Sequence, residues 1–114
     1  MDEQPKRSLF RVAKAFPPGD DEYLSPQDKG RKQPASLTTE QRRSWDALSF
    51  WDSEAGARRV GQDFPKAGAF IVRYDIPENS GIRYEQTLEP GHYDLRGDKD
   101  ELERCLVPDF CENV

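Results

Sequence analysis

A small α+β domain, built from a mostly antiparallel sheet and two short helices, is the fold class that this sequence predicts. Three observations predict it. The chain has 114 residues, enough for one domain and short for two. Two apolar runs alternate with the period of a half-buried strand, Leu9 to Lys14 and Ala69 to Ile76. Between them lie two stretches with helix-start signals, at Thr38 and at Asp52-Ser53. Leu, Ile, Val and Phe make up only 22 residues, close to the range of unfolded chains, but 12 aromatic side chains and a net charge of only −5 allow a small core.

The elements follow in order. Residues 1–7 are expected to be a flexible N-terminus, residues 8–108 the domain and residues 109–114 a C-terminal tail. In the first strand Phe10 and Val12 share one face, and Leu9, Arg11 and Ala13 the other. Pro17-Pro18-Gly19 stops it, and a Pro- and Gly-rich stretch makes 17–37 a long loop. Thr38 and Gln41 have capping-box spacing, opening a short helix that ends near Trp45 to Leu48. Ser49-Phe50-Trp51 is a brief extended segment. Asp52 or Ser53 caps a second helix, Glu54 to Gln62, whose small residues Ala55, Ala57 and Val60 let it lie close against a sheet. Gly61 and Pro65 end it. After the strand Ala69 to Ile76 come a turn at Pro77–Gly81, a strand Ile82 to Thr87, and His92 to Leu95. Glu101 to Val107 reads as a strand or as a last helical turn.

Composition narrows the function. No apolar run approaches the roughly 20 residues of a membrane span, and the charged Met1–Arg7 segment lacks the apolar core of an export signal, so a cytoplasmic location is expected. Cys105 and Cys111 are then free thiols, the first packing on a strand, and no spacing suggests a metal site. Nucleophile-elbow, P-loop and GxGxxG patterns are absent, and His92 is the only imidazole. Residues 74–114 carry eleven acidic and four basic side chains. Such a third repels phosphate, so DNA is not an expected partner. It is either a solvated surface or a face for a basic protein.

Three pieces together resemble the compact ADP-ribosyltransferase-like domains, among them the Arg-Glu-Ser toxins and the NAD-using RNA 2′-phosphotransferases. They are Leu9-Phe10-Arg11-Val12, then Leu48-Ser49-Phe50-Trp51-Asp52-Ser53-Glu54-Ala55, then Phe70-Ile71-Val72-Arg73-Tyr74-Asp75-Ile76. The resemblance implies a split sheet and NAD as the substrate cofactor, with ADP-ribose transferred or the nicotinamide–ribose bond hydrolysed, as in a toxin or effector. It implies that Arg11 grips ribose or phosphate and Ser49 shapes the nicotinamide pocket. Glu85 then steadies the developing cation, although Tyr84-Glu85-Gln86-Thr87 departs from the Gln/Glu-x-Glu pattern of that superfamily.

The residues also allow plainer roles. Arg11 is a two-oxygen clamp or a solvated strand residue. Ser49 and Trp51 hold and stack on a ring, or Ser49 bonds locally and Trp51 is core. Glu85 faces a cleft or pairs with a surface Arg. His92 and Tyr93, after Pro90-Gly91, line a pocket or serve the fold. The contrasting expectation is a non-catalytic acidic interaction protein, such as an antitoxin, an immunity protein or a nucleic-acid mimic.

Overall fold

The computed structural model describes residues 6–114. Six strands, β1 (Lys6–Ala13), β2 (Leu48–Trp51), β3 (Phe70–Pro77), β4 (Arg83–Gln86), β5 (His92–Arg96) and β6 (Leu106–Asn113), form one antiparallel sheet in the order β4-β5-β2-β1-β3-β6. Three helices accompany it, α1 (Thr39–Arg43), α2 (Glu54–Asp63) and α3 (Lys99–Arg104). The α+β class is as the sequence predicts.

Each face of the sheet has its own core. On one face Leu9, Phe50, Val72, Tyr74 and Leu95 pack with Tyr23 of the long loop and Leu102 of α3. On the other, Trp51 and Ile71 pack under α2, joined by Phe10, Val12 and Phe110. Small residues let α2 sit close: Ala57 is fully buried, and a Cβ on Gly56 would come within 3.3 Å of the Trp51 ring. The caps are as expected, with Thr38 and Gln41 bonding reciprocally and the Ser53 hydroxyl accepting from Gly56 N–H.

The loop at 17–37 is pinned to the sheet. The buried Glu22 carboxylate accepts from the backbone N–H groups of Lys14 and Gly19. The hydroxyls of Tyr23 and Tyr74 bond at 2.8 Å in the core, and burial, followed by the hydrogen bond to Tyr23, holds the Tyr74 phenol well above its ordinary pKa.

Several boundaries depart from expectation. Of the segment expected to be flexible, 1–5 lie outside the described residues, and Lys6 and Arg7 belong to β1. Residues 109–114 are no tail, because β6 runs to Asn113 and pairs with β3. Its register shifts between Val72 and Tyr74, and that irregularity accommodates Pro108 on an edge strand. Gly61 does not end α2, which runs on to Asp63; the side chain of Val114 occupies the space a Cβ on Gly61 would need. Cys105 follows α3 rather than lying on a strand, and burial pushes its thiol up.

The joint between β1 and its two neighbours positions the site. Against β3, β1 pairs along its whole length, from Lys6 with Pro77 to Ala13 with Phe70. Against β2 it pairs at Phe10 with Trp51 alone. Beyond that pair the two strands part.

Candidate functional site

Where β1 and β2 part, a cleft of about 420 Å³ opens. Strand parity puts Arg11 and Ser49 on opposite faces of the sheet: Arg11 shares the Leu9 face, whereas Ser49 shares the Trp51 face. Both nevertheless line the cleft, because it runs between the strands and draws on both faces. Trp51 and Val60 wall it on the α2 side, and Leu24 and Lys29 on the side of the long loop.

Arg11 is held from several directions. Its guanidinium lies 5.3 Å from the Phe50 ring centroid, and Nη1 donates to the Glu22 carbonyl at 2.6 Å. Its Nε is buried without a hydrogen-bond partner among the described residues. Lys29 adds a second cation, and desolvation, ahead of neighbouring Arg31 and Lys14, lowers its ammonium pKa.

Next to the cleft lies a second depression, of about 430 Å³, over the ends of β4 and β5. Ser44 and Leu88 line both. Asp94 lies in its floor, 2% exposed, and pairs in register with Ser49 on one side and Glu85 on the other. Ser49, Asp94 and Glu85 therefore form a polar row across three strands on one face. Asp94 Oδ2 accepts from the Ser44 hydroxyl at 2.6 Å, while Oδ1 is buried and without a partner among the described residues. Arg96 stands 4.0 Å from Asp94 but is committed to Asp46 and to the Arg43 carbonyl. The hydrogen bond to Asp46 raises the Arg96 pKa and lowers that of Asp46.

The fold brings Arg11, Ser49 and Trp51 together and leaves the other expected residues apart. Glu85 projects into the second depression, its side chain 69% exposed and 3.9 Å from Arg96, a surface pair of little energetic weight. Tyr93 lies on the opposite face from Ser49, where its hydroxyl accepts from Arg7 at 2.7 Å. His92 is 5% exposed; Nδ1 bonds to Thr87 and the ring abuts Trp51 edge-on at 5.1 Å. It braces the Trp51 side chain from behind.

Asp94, Ser44 and Lys29 are the site residues that sequence reasoning misses. For Asp94 a signal existed: a carboxylate between Tyr93 and Leu95 in mid-strand is unfavourable there and calls for a purpose. Nothing local marks Ser44 or Lys29. Neither a family model, nor a curated protein, nor a solved structure matches this chain.

Proposed function

We propose that this chain is an NAD-binding domain of the ADP-ribosyltransferase-like kind, which breaks the nicotinamide–ribose bond and passes ADP-ribose to water or to an acceptor. One juxtaposition carries the reading: the parting of β1 from β2 makes a single cleft out of Arg11 on one sheet face and Ser49 and Trp51 on the other. A guanidinium with a spare N–H and a nearby ammonium suit a diphosphate. An indole wall and a hydroxyl suit a flat amide-bearing ring.

The chemistry requires a carboxylate beside the sugar. Departure of neutral nicotinamide leaves an oxocarbenium-like ribosyl centre, which a nearby anion stabilises in the way glycosidases use theirs. Asp94, not Glu85, takes this role in our reading. It is the register partner of Ser49, is buried where a charge acts through a low dielectric, and has a free oxygen. Glu85 is one strand further away and faces solvent.

The test is direct. Purified protein incubated with NAD should release nicotinamide, resolved by liquid chromatography, and NAD should raise its melting temperature with the logarithm of its concentration once that exceeds Kd. Absence of both nicotinamide release and a thermal shift at millimolar NAD would overturn the reading.

A further inference from the structure

Ser44 donates its hydroxyl to a distant carboxylate, as Ser8 does to Asp75, but among the serines it is Ser44 that lines both the cleft and the second depression. It closes α1, and its Oγ is clamped at 2.6 Å by a carboxylate fifty residues away in sequence. Such short spacing marks a charge-assisted bond, which turns the hydroxyl proton toward the anion and leaves the oxygen lone pairs free. Ser49, by contrast, is exposed on β2, and Ser53 is spent on capping α2. Ser44 also stands at the junction of the cleft and the second depression, with a surface on each.

We propose that Ser44 is an acceptor for ADP-ribose within the chain itself; this rests on the NAD reading above. The reacting ribosyl carbon, lying beside Asp94, would have two nucleophiles within reach, a water or Ser44. In the transfer to Ser44, the bond between the ribosyl carbon and the pyridinium nitrogen breaks and its electron pair leaves with neutral nicotinamide. The Ser44 Oγ–carbon bond forms from an oxygen lone pair. The hydroxyl proton passes to Asp94 Oδ2 and from there to solvent, so charge and atoms balance without any further reactant. The product places ADP-ribose over the shared rim and blocks entry of another NAD, which makes the modification self-limiting.

The experiment incubates the full chain with NAD, then measures nicotinamide, free ADP-ribose and intact mass in the same sample, with fragmentation that retains labile adducts. The expected result is a mass gain of one ADP-ribosyl group per chain, localised to Ser44. It should be absent in Ser44→Ala and present, more slowly formed, in Ser44→Thr, which keeps the hydroxyl. Circular dichroism on both variants establishes that they fold. Nicotinamide released with an equal yield of free ADP-ribose and an unmodified chain overturns the acceptor role while leaving the NAD reading intact. An adduct on Ser49 or on a carboxylate, persisting in Ser44→Ala, overturns it too. Absence of any nicotinamide removes both.

Discussion

The two joints of β1 are built to opposite specifications. Its seam with β3 is laddered from end to end and sealed by fully buried side chains, Leu9 and Tyr74 facing each other across it. Its seam with β2 is fastened at Phe10 and Trp51 and then abandoned, leaving edge backbone and polar side chains around open space. One strand thus serves as the mainstay of the fold along one edge and as the wall of a cleft along the other. The lesson is that stability and binding are divided between neighbours of a single element, so substitutions on the two sides should fail in different ways.

The strongest test of that division is Leu9→Ala. Leu9 has no exposed surface, and emptying its place in the β3 seam should cost about 3 kcal/mol, read as a lowered urea midpoint. A loss below about 1 kcal/mol would mean that this seam is not the mainstay. On the open side, Asp94→Asn should reduce nicotinamide release about 100-fold with the fold retained, since the amide can still accept from Ser44. Wild-type turnover in that variant would return the carboxylate role to another residue.

Tyr74→Phe strands the Tyr23 hydroxyl in the core and should cost about 1 kcal/mol. It also has a pH signature. A phenol whose pKa is raised by folding keeps its proton longer in the native state than in the unfolded chain. Its stabilising contribution is therefore complete below the unfolded value of 10.0 and is lost as pH climbs above it. Wild-type stability should fall above about pH 10, and Tyr74→Phe should fall less steeply in melts across that range. Ser49→Ala, exposed on the open side, should leave the melting temperature within about 2 °C and weaken NAD several-fold in titration calorimetry. Glu85→Gln should be the mildest, changing stability by less than about 0.5 kcal/mol and turnover hardly at all. Loss of activity there would put the row in a different order from the one drawn here.

The legible parts of the sequence were those governed by local periodicity. β1 and β3 show in the alternation of Leu9 to Ala13 and Phe70 to Ile76 because apolar positions recur on the face of Leu9 and Tyr74 while the other face turns polar at Ser8, Arg73 and Asp75. The caps at Thr38 and Ser53 show because capping is settled within four residues. What stayed hidden was non-local. β6 is mostly exposed and carries Pro108, so it has the composition of a tail and is a strand only through its partner β3. The cleft is an absence of pairing past Phe10 and Trp51, which no residue of either strand announces. Arg11 and Ser49 are expected only from a resemblance to other domains, whereas Asp94 and Ser44 meet only once the sheet brings β5 beside the end of α1.

Both tryptophans of the chain border the cleft. Trp51 forms part of its wall, and Trp45, whose indole N–H donates to the Arg31 carbonyl, stands at its rim. The entire indole emission of the protein therefore originates at the one place where a ligand would change solvent access and polarity. Fluorescence excited near 295 nm, a wavelength chosen because indoles absorb there while phenols do not, becomes an unlabelled gauge of occupancy, with no background from the rest of the molecule.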